Sequence, residues 1–228
     1  MLHFTAPEFA RREAALRDAM AARELDALLL FAPESQFWLT GYDTFGYCFF
    51  QCLVVTREGM HLLTRSADMR QAELTSTLTD IRVWRDGTAP EVSLAALLAD
   101  IGLTAGRVGI ETDTHGLTAR NHQRVLSVTG AVELIDTSDL VPALRLTKSA
   151  EEIAYVREAA RLGDAAFEAA LPLMRPGGSE AEILAAMQGA IFAGGGDYPG
   201  NEFIIGSGAH ALLCRYATGR RVLDDADQ

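Results

Sequence analysis

The chain has 228 residues, 49% hydrophobic and 22% charged, enough for one large domain or two smaller ones with packed cores. Its net charge is -11 and Lys148 is its only lysine, which excludes general nucleic-acid binding, because that needs clustered cations to displace counterions. No apolar run approaches the roughly 20 residues that span a bilayer, and the start MLHFTAPEFARRE lacks the basic and apolar parts of a signal peptide, so a cytoplasmic protein with no membrane partner is expected.

Residues 7–23 predict a helix with Phe9, Leu16 and Met20 on one face and arginines and glutamates opposite. DALLLF (26–31) is a short continuous apolar run and predicts a buried strand. PESQFWLTGY (33–42) begins with a turn, holds one helical turn and stops at Gly41. YCFFQCLVVT (47–56) predicts a long strand, turning through REG into a second strand, MHLLTR (60–65). On one strand Cys48 and Cys52 would lie about 13 Å apart at ~3.3 Å per residue. A disulfide needs Cα atoms within about 7 Å, so free thiols are expected. A helix over 66–76, a strand over 81–85, a helix over 90–102, a strand over 107–111, a helix over 117–130 and a strand over 131–136 follow. Alternating strands and helices mean an α/β layered domain, a mixed sheet with helices on its faces.

The pattern changes near Leu140. A long helix is expected from Ser149 to Met174, opened by a Ser149/Glu152 capping box. Ile153, Val156, Ala160, Gly163, Phe167 and Leu171 line one of its faces. Pro176-Gly177-Gly178 ends it, and Ser179 with Glu182 repeats the capping spacing for a second helix, with Ile183, Met187 and Ile191 inward. Gly194-Gly195-Gly196 stops that helix and a strand is expected over 202–206. The boundary falls in PALRLTKS, giving domains 1–142 and 143–228.

Arg145, Lys148, Glu152-Ile153 and the step Pro176-Gly177-Gly178-Ser179-Glu180, in this order and spacing, resemble the entry to the catalytic domain of the creatinase/prolidase family, the pita-bread fold. LDALLLFAPESQFWLTGYD resembles the N-terminal domain of the same family, and WLTGYD…QC its ectoine-hydrolase branch. The resemblance covers essentially the whole chain. It implies a creatinase-type α/β N-terminal domain followed by the start of an α+β pita-bread domain. Metal-dependent members of the family use two aspartates, a histidine and two glutamates. The resemblance places all five beyond the segment matching RRVLDDADQ, so no metal or other cofactor is expected in this chain, which is expected to be truncated.

The family's usual histidine, about six residues before the arginine that matches Arg220, is replaced by Cys214. A thiol beside Arg215 can act as a nucleophile if its pKa is depressed. The alternative is a small apolar filler. His210, four residues earlier, could supply an acid or base only from a shifted loop. In creatinase-like dimers the N-terminal domain lends side chains to the other subunit's site, and the corresponding positions here are Tyr47 and Phe49. The alternative for both is packing on the strand's face. Arg215 completes the candidate substrate-binding set. AGGGDYPGN (193–201) follows a helix instead of opening one and lacks a Lys-Ser/Thr pair, so it reads as a helix stop and not as a phosphate cradle.

The family implies hydrolysis of a C–N bond in a small polar molecule. An ectoine-like substrate is the first expectation and an Xaa-Pro dipeptide the second, with a homodimer as the assembly. Inactivity is expected of the 228 residues alone. The rival class is a non-catalytic domain that dimerises or binds a ligand.

Overall fold

Strands β1 (Ala27–Leu30), β2 (Cys52–Thr56), β3 (Met60–Arg65), β4 (Asp80–Trp84), β5 (Ala105–Ile110) and β6 (Ala131–Asp136) join in one mixed sheet. The structure is a computed structural model that describes residues 2–198, 200, 204–213 and 221–227. The chain divides into two units, Met1–Thr147 and Lys148–Gln228.

In the first unit the strand order is β4-β3-β2-β1-β5-β6. The middle strand β2 runs antiparallel to β1 and β3, while β3–β4, β1–β5 and β5–β6 are parallel pairs. Side chains alternate across a strand, so the continuous apolar run of β1 feeds both faces. Ala27, Leu29 and Phe31 enter one core with Cys52, Val54 and Leu63; Leu28 and Leu30 enter the other with Leu53, Val55 and Leu62. Helices α4 (Pro90–Asp100) and α5 (Ala119–Val128) cover the first face through Leu94, Leu97, Leu98 and Val125. Helices α1 (Ala6–Ala22), α2 (Pro33–Thr40), α3 (Met69–Thr75) and α6 (Leu140–Arg145) cover the second through Leu16, Met20, Trp38, Leu39, Ala72, Leu140 and Val141. Each fully buried leucine contributes about 1.5–3 kcal/mol relative to exposure, and β1 supplies three of them.

Three local expectations are corrected in this unit. Helix α1 does not keep its charges outside. Arg12 is fully buried and Glu8 nearly so. The guanidinium donates to Glu8 at 2.8 Å and to the Trp38 carbonyl at 2.7 Å and lies 3.9 Å above the Phe4 ring centroid. Pairing and ring contact together offset the cost of burying a charge. The long strand over 47–56 is shorter than expected. Residues 46–48 form a 3₁₀ turn and only Cys52–Thr56 enter the sheet. Cys48 is therefore exposed while Cys52 is buried, and both thiols are free. Helix α2 makes two turns, not one, before Gly41 stops it in the left-handed region at φ 81°.

The second unit opens with α7 (Ala150–Ala170), whose Ser149/Glu152 capping box forms as expected. A 3₁₀ turn over 171–173 follows, then α8 (Glu180–Ala193), capped by the Ser179 hydroxyl. The apolar row expected on α7 forms, but it is not the helix's buried face. Leu162, Ala166 and Ala170 are buried, whereas Ile153, Val156, Phe167 and Leu171 are exposed at 36%, 55%, 54% and 50%. Small residues on the buried side permit close approach to α8, and Leu162 packs at Gly194 and Gly196, where any Cβ would collide with it. On α8, Ile183 is buried, and Met187 and Ile191 are half-buried. Residues 202 and 203 lie outside the described residues, and 204–206 belong to no strand. The pairing partner of this unit is instead Val222, bridged antiparallel to Ser179. Among the described residues no helix is long and apolar enough to cross a membrane.

Candidate functional site

The segment 31–49 of the first unit carries the densest chemistry, and a buried carboxylate organises its beginning. Glu111, the residue after β5, accepts hydrogen bonds from the backbone N–H of Phe31 at 2.9 Å and of Ala32 at 2.8 Å, and from the Ser35 hydroxyl. It thereby satisfies donors at the start of α2, where Ala32 supplies no side-chain cap. Burial pushes the Glu111 carboxyl up; the Ser35, Ala32 and Phe31 hydrogen bonds oppose this, and the charge of Glu34 adds to it. Burial, reinforced by Glu111, also pushes the Cys52 thiol well up, so this sulfur is a core atom and not a nucleophile.

After α2 the chain turns at Gly41. A side chain there would bring Cβ to 2.9 Å from the Thr75 carbonyl oxygen. Tyr42 is fully buried, with its hydroxyl 3.1 Å from that of Thr64. The Asp43 backbone is held at both ends: its N–H donates to Thr75 Oγ1 and its carbonyl accepts from Gln71 Nε2. Gly46 donates to Thr44 Oγ1 at 2.7 Å. An added Cβ at Gly46 would lie 2.9 Å from both Asp68 Oδ2 and Thr44 Oγ1, so the turn needs a glycine for space.

The two aromatic residues expected at the site diverge from here. Tyr47 is half-buried and meets Phe45 edge-on at 5.8 Å between centroids. It lines a cleft of about 270 Å³ with Glu34, Phe37, Tyr42 and Asp43. Phe49 is not part of that cleft. It lies exposed beneath the Arg65 guanidinium, 4.1 Å from the ring centroid. The expectation of simple packing on a strand face fails for both, because neither lies on a strand.

In the second unit Glu180, at the first position of α8, is buried. It accepts from the Ser207 hydroxyl at 2.7 Å and from the Arg221 N–H at 3.4 Å. Arg221 in turn donates to Ser207 Oγ at 2.6 Å and pairs with Asp227 and Asp224. This network ties 221–227 to the start of α8 beside a cavity of about 240 Å³ lined in part by Met174, Ile183, Ile205 and Leu223. His210 ends a 3₁₀ turn over 208–210 and is half-buried, but it is not among that cavity's described lining residues. Cys214 and Arg215 lie outside the described residues. Among the described residues no three His, Cys, Asp or Glu side chains gather as a metal site would require. The described side chains thus do not fit a divalent metal.

Glu111, Glu34 and Asp43 escape sequence reasoning. The one available signal for Glu111 is a carboxylate directly after an apolar strand, GIE, which an acidic loop ETDTHG disguises. His61, which lacks ligand spacing in the sequence, pairs with Asp80 at 2.7 Å.

Comparison with known proteins matches both units. The model of the Creatinase/Prolidase N-terminal domain matches residues 12–147, and that of metallopeptidase family M24 matches 154–228. An uncharacterized hydrolase/peptidase of Sinorhizobium fredii is 30% identical over 211 residues, covering 88% of this chain and 54% of that protein. The ectoine hydrolase of Halomonas elongata is 29% identical over 219 residues, covering 87% and 54%. The solved Xaa-Pro dipeptidase from Bacillus anthracis superposes with a TM-score of 0.77 at 24% identity, covering 96% of this chain and 59% of that one, a likeness of fold. The chain spans about half the length of the curated relatives it matches.

Proposed function

The chain belongs to the creatinase/prolidase family, and from that premise we propose that the protein hydrolyses a C–N bond in a small polar substrate, with an ectoine-like molecule as first choice. The observation that carries this reading is the placement of Tyr47 on a preformed aromatic cleft, within the segment whose sequence resembles the ectoine-hydrolase branch. Tyr47 and Phe49 are the substrate-facing residues of the first unit. They act toward the site of a second subunit in a homodimer. Cys214 and His210 are the candidate catalytic groups of the second unit, and Arg215 the cation beside them. An Xaa-Pro dipeptide is the second substrate reading, favoured by the likeness to a hydrolase/peptidase.

The 228 residues alone do not turn over either substrate. The test is an assay of the complete product of the gene, and in parallel of the 228-residue chain, on ectoine and on Gly-Pro. Ectoine turnover above Gly-Pro turnover by the first preparation only is the expected result. No C–N cleavage of either compound by the complete product, with and without added divalent metal, would overturn the proposal.

A further inference from the structure

The cleft that holds Tyr47 has a composition the hydrolase reading does not use. Its lining includes the aromatic residues Phe37 and Tyr47 and the carboxylate residues Glu34 and Asp43. Both carboxylates belong to exposed residues, and neither is paired with a cation among the described residues. The negative charge extends around them. Glu34 acts on Glu111, and Asp68, under the same loop at Gly46, has a buried oxygen with no hydrogen-bond partner. Arg65, which reaches this loop at Phe49, is committed to Asp86 and to the Phe49 ring. The backbone beneath the lining residues is anchored: Thr64 meets the Tyr42 hydroxyl, and Thr75 and Gln71 hold the Asp43 N–H and carbonyl.

Aromatic rings attract a cation through their quadrupole and carboxylates through their charge, and both attractions strengthen where water is displaced. An anion would face two uncompensated negative groups. A neutral ligand would gain ring contact but leave both carboxylates without a partner. We propose that this cleft binds the positively charged group of a small organic molecule, with Phe37 and Tyr47 as its aromatic walls and Glu34 and Asp43 as its counter-charge. The inference rests on the reading of Tyr47 as a substrate-facing residue and narrows the substrate class to molecules that present a positive charge.

Tetramethylammonium chloride is the probe, titrated into the full 228-residue chain and followed by amide chemical shifts. Tert-butanol serves as an uncharged molecule of similar shape and sodium chloride as the ionic-strength control. Saturable binding of tetramethylammonium is expected, with shifts centred on 33–47, and neither control should saturate. Glu34→Gln and Tyr47→Ala should each weaken binding about fivefold, the equivalent of ~1 kcal/mol for one cation–ring or charge contact. Glu34→Gln keeps the shape of an exposed side chain, so its loss of binding is not a folding effect. Equal binding of tert-butanol, shifts away from the cleft, or full affinity in both variants would overturn the inference. No turnover is measured, so absent binding sinks the cation site alone, and absent hydrolysis by the complete gene product sinks the C–N reading alone.

Discussion

The Arg65 guanidinium lies over the Phe49 ring, 4.1 Å from its centroid, and Asp86 holds it there through hydrogen bonds of 2.7 and 2.6 Å. The pair joins the end of β3 to the segment entering β2, so an aromatic side chain exposed at 41% still has a defined place. The Asp86 hydrogen bond keeps the Arg65 pKa raised and the Asp86 pKa lowered. Arg65→Ala is expected to speed amide exchange across 46–50 with almost no change in Tm, because exposed ion pairs add little to global stability. Unchanged exchange in that segment would show that the stack does not hold Phe49.

Glu111 offers a sharper test, because it is buried and answers three donors. Glu111→Ala leaves the Phe31 and Ala32 N–H groups and the Ser35 hydroxyl without their acceptor. A cost of about 2–4 kcal/mol is expected in urea unfolding, and a loss below about 1 kcal/mol would contradict the capping role.

The same carboxyl makes stability depend on pH in an uncommon direction. Its folded pKa is raised above the usual 4.5, so the folded state holds the proton longer than the unfolded state. Where the folded state binds more protons, stability falls as pH rises. The Glu111 contribution is therefore greatest below pH 4.5 and declines as pH climbs from there through the folded pKa. Glu111→Gln removes the titrating group. The stability of the parent relative to this variant should fall with rising pH across that window and then level off. A difference that grows with pH would mean that the hydrogen bonds outweigh burial.

The layered first unit was readable because its signals are local: apolar runs, capping residues and glycine stops. The candidate site was much less so. Tyr47 and Phe49 stand in a stretch of β-forming residues, yet Gly46 and the contacts of Thr44 and Asp68 bend it into a 3₁₀ turn before the sheet begins. Arg12 reads as a surface arginine in sequence, and only the fold supplies Trp38 and Phe4 to bury it. Periodicity found two faces on α7 but did not tell which one α8 would cover, because alanines fill the buried one.

That uncovered row on α7 predicts association. Ile153, Val156, Phe167 and Leu171 leave a row of exposed apolar side chains on one helix, the kind of surface that favours association. The chain is expected to scatter light as a dimer or larger at high micromolar concentration, and Phe167→Glu to shift it toward the monomer. A monomeric mass for the parent chain would remove the association.

The Glu180 network should hold the second unit's end in place. Glu180→Ala removes the acceptor of Ser207 and of the Arg221 N–H. Exchange at 177–180 and 221–223, which pair through Gly177–Leu223 and Gly178–Leu223 hydrogen bonds, is expected to rise while β1 and β2 stay protected. Equal protection in parent and variant would mean that the backbone pairing stands without the carboxylate.

Steady-state kinetics of Tyr47→Ala in the complete gene product tests most directly the proposal that Tyr47 faces substrate. With ectoine as substrate, KM is expected to rise about tenfold, the equivalent of ~1.4 kcal/mol of lost binding, with kcat nearly unchanged. Parent values of both KM and kcat in a folded Tyr47→Ala protein would contradict it.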